Sequence, residues 1–309
     1  RGYQVTIYDR YDRSGGLLIY GIPGFKLEKE IVAFRHQHLL DSGVTFKLNL
    51  DIGRDITFAD LRAQHDAVLI ATGVYKARDL DLPGASLPGV VAALDYLTAS
   101  NRANLGDDVP SHTSGELLAT GKRVVVIGGG DTAMDCVRSA VRQGATSVKC
   151  LYRRDRRNMP GSQREVQNAE EEGVEFVWQS APERFLGEGK VEAVEAHRIQ
   201  LGMPDATGRQ TPEKVPGTTE AEPADLVIKA LGFEPEDLPT LFGCSELTVT
   251  RWGTVRIDHA TKETVLPGVY AAGDIVRGAS LVVWAIRDGR EAAAAIHSAL
   301  SAQPAVAAA

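Results

Sequence analysis

The apolar positions of the chain fall into short β-branched runs that alternate with helical patterns. The clearest run is RVVVI, which predicts a buried parallel strand at Arg123–Ile127. Gly128-Gly129-Gly130 follows it, and residues 131–143 carry helical spacing. A second apolar run at 147–152 predicts the next strand. Strand, glycine turn, helix and strand in this order predict a βαβ unit.

The glycine turn of this unit has the spacing of a dinucleotide-binding motif. Gly128, Gly130 and Ala133 form GxGxxA, in which bare backbone can approach a pyrophosphate at the start of a helix. Arg153-Arg154 ends the second strand, where NAD sites usually carry an acid. Two guanidinium groups there suit a ribose 2'-phosphate, so the sequence favours NADP over NAD. The alternative is a glycine turn that only packs.

Other predicted strands also end on small or acidic residues. These ends are Asp9, Thr72-Gly73, Ala230-Leu231-Gly232 and Gly273-Asp274. An acid at a strand end suits the ribose of a second nucleotide, and small residues let a cofactor approach the backbone. An Asp that only caps a turn would give the same pattern at Asp274. Glycines at 15–24 indicate backbone near a ligand, although an irregular loop would look the same.

The remaining pattern predicts ordinary elements. Helices are expected at 28–42, 58–64 and 90–98, and a polar link between domains at 101–120. An antiparallel meander is expected after Trp178, with a turn at 206–209. The acidic run at 170–172 is expected on a solvated helix face, and the tail after Ser301 is expected to be disordered.

Composition narrows the functional class. The 309 residues have 43% hydrophobic content and a net charge of −7, which argues against a nucleic-acid surface. We find neither a signal peptide nor an apolar run long enough to cross a bilayer, and we expect a cytoplasmic protein without a membrane role. Cys136, Cys150 and Cys244 lie far apart, so neither a disulfide framework nor a metal site is expected.

Five separated motifs resemble one known family. They are GGLLIYGIPGFKLEKE, GGGDTAMDCVR, YRRDRRNMPGSQREV, RWGT and YAAGDIVRGASLVVWAI. Together they resemble the small (beta) subunits of NADPH-dependent glutamate synthase, which are similar to adrenodoxin reductase and to the reductase part of dihydropyrimidine dehydrogenase. The resemblance implies an α/β fold with two interleaved Rossmann-like nucleotide-binding domains. Residues 1–112 and 260–309 would bind FAD, and residues 113–259 would bind NADPH.

The resemblance also implies an activity. In the family, NADPH reduces FAD, and electrons pass through 4Fe-4S clusters to the large (alpha) subunit, which makes glutamate from 2-oxoglutarate and glutamine. Hydride transfer needs stacking and exclusion of water more than an acid or a base, so no catalytic side chain is expected. The alternatives are a related NADPH reductase with a ferredoxin or pyrimidine acceptor, and a noncatalytic NADP-binding module.

Cofactor-binding residues are carried over from the family by motif. For FAD they are Asp9, Gly16, Leu17, Lys26, Thr72, Gly73, Gly273, Asp274, Ser280, Leu281 and Val282. For NADPH they are Gly128, Gly130, Asp131, Thr132, Arg153, Arg154, Ala230 and Gly232.

Two parts of the family pattern are absent from these 309 residues. They are the cysteine-rich N-terminal domain that ligates the clusters and the first FAD glycine loop. Because the chain opens on Arg1 just ahead of a strand at 4–8, we expect a piece of a longer protein. We also expect weak or no FAD binding by this piece, and exposed apolar surface beside that strand.

Overall fold

The computed structural model of the chain describes residues 1–204 and 210–302. The turn predicted at 206–209 and most of the predicted disordered tail lie outside the described residues.

The elements follow one another as short strands and helices. The strands are β1 (Thr6–Tyr8), β2 (Thr45–Lys47), β3 (Val68–Ile70), β4 (Lys76–Ala77), β5 (Val90–Ala92), β6 (Arg123–Ile127), β7 (Ser147–Tyr152), β8 (Glu175–Trp178), β9 (Ser180–Leu186), β10 (Ala193–Pro204), β11 (Gln210–Lys214), β12 (Glu220–Pro223), β13 (Leu226–Lys229), β14 (Phe233–Glu234) and β15 (Val269–Ala271). The helices are α1 (Leu17–Tyr20), α2 (Lys29–Asp41), α3 (Phe58–Gln64), α4 (Ala93–Asn104), α5 (Pro110–Thr113), α6 (Asp131–Arg142), α7 (Gln163–Glu171), α8 (Leu238–Leu241), α9 (Asp274–Arg277) and α10 (Val282–Ala302), with a 3-10 turn at Arg156–Asn158.

These elements form two compact units. The first unit contains residues 1–14, 39–76 and the chain from Phe233 onward, and the second contains residues 15–38 and 77–232.

The second unit is built on a five-stranded sheet with the order β5-β13-β6-β7-β8. Every neighbouring pair in it is parallel. Val124 and Val126 of β6 pack in one cluster with Met134 of α6, whereas Val125 and Ile127 pack in a second cluster with residues of β9 and β10. Both faces of β6 are therefore buried, as its unbroken apolar run predicts.

An antiparallel sheet covers the second face. Strand β10 pairs with β9, β11 and β12, all antiparallel. The predicted meander is therefore confirmed for the described residues.

The first unit contains two parallel strand pairs, β1 with β2 and β3 with β15. Its core includes Phe58, Ile70 and Val269, and the Phe58 ring stacks on Phe242 at 4.8 Å between ring centroids. Tyr3 and Val5, just ahead of β1, are 44% and 46% exposed.

The boundaries of the compact units differ from those of the predicted domains. Residues 77–112 belong to the second unit because β5 pairs with β13 and the Tyr96 hydroxyl of α4 donates to Gln143 beyond α6. Residues 15–38 belong there as well, and residues 233–259 belong to the first unit, whose core contains Leu247 and Val255. Which nucleotide each unit binds stays a prediction.

Two local predictions also differ from the structure. The helix predicted at 90–98 is strand β5 followed by α4, because the start of that run pairs with β13. In the acidic run at 170–172, Glu172 is not simply solvated: its carboxylate lies 2.7 Å from the Arg138 guanidinium and 2.8 Å from that of Arg142. Among described residues, no helix has the length and hydropathy that would let it cross a membrane.

We predict that Leu226→Ala destabilises the second unit. Leu226 of β13 is completely buried in the core, so truncation should lower the free energy of unfolding by about 2–5 kcal/mol. Met203→Ala is the control: Met203 is 92% exposed, and its loss should change stability by less than about 0.5 kcal/mol. Thermal denaturation of the three proteins checks this, and equal midpoints would contradict the assignment of the core.

Candidate dinucleotide-binding site

The glycine turn lies between the carboxyl ends of two neighbouring strands. The N–H of Gly128 donates to the Leu151 carbonyl at 3.1 Å, and the N–H of Ala230 donates to the Ile127 carbonyl at 2.8 Å. A Cβ on Gly128 would lie 2.2 Å from the Ala230 carbonyl oxygen. Only glycine fits this close approach, and the predicted residues Gly128 and Ala230 are thereby brought together.

The next residues leave the start of α6 open. Gly130 is the N-cap residue, and no side chain caps it. A Cβ added to Gly130 would meet no atom within 4 Å. Among the described residues, the N–H groups of Gly130, Asp131 and Thr132 have no acceptor. Free N–H groups at a helix start, together with the helix dipole, favour an anion, so this end of α6 suits a pyrophosphate.

The small side chain of Ala133 lets α6 pack closely on the sheet. Ala133 is completely buried, and its N–H donates to the Gly130 carbonyl at 2.9 Å. The small third residue of the predicted motif therefore serves helix packing.

A loop at 159–162 lies against the glycine turn. The Gly161 N–H donates to the Gly129 carbonyl at 2.9 Å, and the Ser162 N–H donates to Asp131 Oδ1 at 3.0 Å. The Asp131 carboxylate is therefore used to hold this loop, while the backbone N–H of Asp131 stays free. Sequence reasoning missed this contact, because a loop and a turn about 30 residues apart show no local signal of their proximity.

The two arginines predicted at the 2'-phosphate differ in their surroundings. Arg153 is exposed and makes no hydrogen bond or ion pair with a described residue. Arg154 is half-buried: its Nη2 donates to the Gln210 carbonyl at 3.4 Å, and its Nε is buried without a partner. Arg153 is thus the guanidinium that is free to receive a phosphate from solvent.

Beyond Ala230, the chain continues through Gly232 in a left-handed conformation with φ of 88°. The Gly232 carbonyl accepts from the Arg78 N–H at 3.0 Å. Just before Ala230, the nearly buried Lys229 reaches Asp79 at 2.5 Å. This ion pair was not predicted, although a lysine inside the apolar run LVIKAL indicates a buried cation that needs a partner.

In the first unit, the predicted FAD residues lie at strand ends. Asp9 Oδ1 accepts the Tyr11 N–H at 3.0 Å, and burial raises the pKa of the Asp9 carboxyl against the lowering effect of that hydrogen bond. Arg10 pairs with Glu236 at 2.9 Å. The Asp9 carboxylate is therefore a hydrogen-bond acceptor, and the adjacent cation, Arg10, is paired with Glu236 instead.

The ends of β3 and β15 meet at one edge because the strands are parallel neighbours. This edge carries Thr72-Gly73 after β3 and Gly273-Asp274 after β15. Asp274 Oδ1 accepts the Ser280 hydroxyl at 2.8 Å, and Oδ2 accepts the Ser280 N–H at 3.2 Å. Leu281 and Val282 are 57% and 42% exposed. These predicted residues are therefore grouped in the first unit.

Gly16, Leu17 and Lys26, also predicted for FAD, belong to the second unit. Lys26 Nζ lies 2.7 Å from Asp135 Oδ1 and 3.6 Å from Glu165 Oε2. The structure thus pairs Lys26 with carboxylates of α6 and α7. The described residues contain no group of three or more His, Cys, Asp or Glu side chains that could hold a metal ion.

We predict that alanine at two glycines of the turn changes two different properties, stability at Gly128 and NADP⁺ affinity at Gly130. Gly128→Ala should lower stability by about 1–3 kcal/mol, because the new Cβ meets the Ala230 carbonyl. Gly130→Ala should keep the melting temperature but weaken NADP⁺ binding about tenfold, because its methyl group enters the open space above the helix start. Melting curves and NADP⁺ titration check both. Unchanged affinity in Gly130→Ala would argue against a pyrophosphate here.

Comparisons with known proteins identify the family of the chain. The chain matches the family described as pyridine nucleotide-disulphide oxidoreductase over residues 44–289. It is 68% identical over 308 residues to the putative glutamate synthase (NADPH) small chain of Cereibacter sphaeroides, covering all of this chain and 74% of that relative. It is 66% identical over 298 residues to the glutamate synthase (NADPH) small chain of Azospirillum brasilense, covering 96% of this chain and 62% of that relative.

Solved structures give the same fold. FprA of Mycobacterium tuberculosis in complex with NADPH matches with a TM-score of 0.79 at 20% identity, over 96% of this chain and 78% of that chain. The predicted fold class is thereby confirmed. The chain therefore belongs to the pyridine nucleotide-disulphide oxidoreductase family and, within it, to the group of the glutamate synthase (NADPH) small chains.

Proposed function

We propose that this chain oxidises NADPH and passes the hydride to FAD as the small-subunit reductase of a glutamate synthase. Electrons would then pass through iron-sulfur clusters to a large subunit, which makes glutamate from 2-oxoglutarate and glutamine. The observation that carries the proposal is the open helix start at Gly130, with free N–H groups, in a chain so similar to glutamate synthase small chains. The chain spans 62% of the Azospirillum brasilense relative, so the activity of the whole enzyme is proposed here.

The second unit supplies the groups that NADPH requires. Pyrophosphate would be held by the N–H groups of Gly130, Asp131 and Thr132, which have no acceptor among the described residues. Arg153 would bind the 2'-phosphate, since it is exposed and engaged with no described residue. Ala230 and Gly232 would border the nicotinamide side, because β13 ends beside the glycine turn.

The first unit supplies groups that suit FAD. The Asp9 carboxylate, at the end of β1, would accept hydrogen bonds from a ribose. Asp274, held by Ser280, would face ribityl or phosphate oxygens, and Leu281 and Val282 offer exposed apolar surface for a flavin ring. When bound, FAD supplies the acceptor of two electrons.

The direct test is anaerobic stopped-flow spectroscopy on the natural protein loaded with FAD. NADPH should bleach the flavin band near about 450 nm, and adding the large subunit, glutamine and 2-oxoglutarate should yield glutamate. Bleaching without glutamate formation would assign the chain to a reductase with another acceptor. An unchanged flavin band would contradict the oxidoreductase proposal itself.

We predict that Arg153 selects NADPH over NADH. Arg153→Ala should weaken NADPH binding by about 1.5–3 kcal/mol, one to two powers of ten, because a charge-assisted bond to the 2'-phosphate is lost. NADH binding should be nearly unchanged. Arg154→Ala is the matched comparison and should lose less, since its guanidinium is directed to the Gln210 carbonyl. Titration of both nucleotides against the three proteins decides. Equal losses for NADPH and NADH would place the 2'-phosphate elsewhere.

A further inference from the structure

Three carboxylates surround the first two turns of α6. Asp131 and Asp135 lie one turn apart on the helix, about 6 Å along its axis, and Glu165 approaches from α7. The Asp135 side chain is 10% exposed. This is an unusual surrounding for a helix start that should bind a pyrophosphate, because like charges within a Debye length repel one another.

Lys26 lies among these carboxylates. Its Nζ is 2.7 Å from Asp135 and 3.6 Å from Glu165. Burial, the largest single influence, lowers the pKa of the Lys26 ammonium group. Asp135, Glu165 and Asp131 outweigh it together, so the pKa is raised above its usual value. Lys26 is therefore a cation held inside an acidic cluster.

The segment that carries Lys26 is fixed by hydrogen bonds and by contacts of an aromatic ring. We call residues 15–29 the strap. Asn101 of α4 donates to the Tyr20 carbonyl at 2.9 Å, and Lys29 Nζ donates to the carbonyls of Leu18 and Ile22. These bonds hold the backbone ahead of Lys26 in one conformation.

Directly before Lys26, the Phe25 ring lies under two arginines of α6. The guanidinium carbons of Arg138 and Arg142 are 4.8 Å and 4.4 Å from the ring centroid. Arg138 also bonds Glu165 at 2.7 Å. Arg138 thus contacts Phe25 and pairs with Glu165 of α7. The cation that pairs with Asp135 is therefore Lys26.

We propose that Lys26 is a positioning residue for the dinucleotide, which acts through Asp135: it neutralises the carboxylates around the start of α6 so that a pyrophosphate can bind there. The inference rests on the proposed function, because it requires the NADPH site at Gly130. It differs from the role predicted by resemblance, in which Lys26 lines the path of FAD and its phosphates. In the structure, the Lys26 ammonium group is committed to two carboxylates.

If Lys26 acts in this way, the effect of Lys26 on NADP⁺ affinity should depend on pH, which a role in packing alone would not predict. Burial, opposed chiefly by Lys26, raises the pKa of Asp135 to about 6. The charged groups that face Asp135 are Lys26 and Lys29 from the strap, Glu165 from α7, and Asp131 on its own helix. Above that value Asp135 is mostly ionised while Lys26 compensates its charge. Without Lys26 the pKa of Asp135 rises further, so the uncompensated carboxylate is present only well above pH 6, and at low pH the proton replaces the cation.

The test is calorimetric titration of NADP⁺ at low salt and about pH 8.5, where Asp135 is ionised to a greater extent even without Lys26. Lys26→Met should weaken binding about three- to tenfold, and Lys26→Arg should retain most of the affinity. In Lys26→Met/Asp135→Asn, affinity should return toward wild type, because the uncompensated carboxylate is gone. The loss in Lys26→Met should shrink at about pH 5.5 and in high salt.

Asp135→Asn alone keeps the proposal testable if Lys26→Met fails to fold. It removes a negative charge and leaves Lys26 cationic, so NADP⁺ should bind as tightly as to wild type or more tightly. Weaker binding by Asp135→Asn, or wild-type affinity in a folded Lys26→Met protein, would overturn the role of Lys26 and leave the NADPH site intact. Failure of the wild-type protein to bind NADP⁺ would overturn both proposals.

Discussion

The second unit depends on the close approach of two strand ends at Gly128. A side chain at this position would collide with the Ala230 carbonyl, so the glycine lets β6 and β13 stay paired up to their last residues. The same turn starts α6 with no side-chain cap, which leaves the first N–H groups of the helix without an acceptor among the described residues. Strand pairing at Gly128 and the open helix start at Gly130 therefore both depend on missing side chains in one turn.

Buried charges hold the strap and the helices of this unit together. Arg138 joins α6 to Glu165 of α7 and to Glu172 just beyond it, while Lys26 joins the strap to Asp135. Removing one partner from such a cluster leaves a buried charge uncompensated, which costs more than the pair itself contributes. The strap therefore brings a cation to the carboxylate of Asp135, one turn into α6.

The sequence predicts what is local and misses what depends on distant partners. The run from Arg123 through the glycines to Tyr152 predicts strand, turn, helix and strand correctly, because each is set by neighbouring residues. The unit boundaries were not predictable in this way, since β5 is placed by pairing with β13, more than a hundred residues away. The pairing of Lys26 was missed for the same reason: Asp135 is remote in sequence, and a lysine near glycines suits a phosphate equally well.

The two units present different chemistry at their strand ends. In the second unit, the edge beside Gly128 offers N–H donors and an exposed guanidinium, which suit phosphate oxygens. In the first unit, Asp9 directly follows β1 and Asp274 begins α9 shortly after β15, and carboxylates accept hydrogen bonds from hydroxyl groups. Asp274 already accepts one such bond, from Ser280. The second unit thus presents mainly hydrogen-bond donors at its strand ends and the first unit mainly acceptors, although both are built on parallel strand pairs.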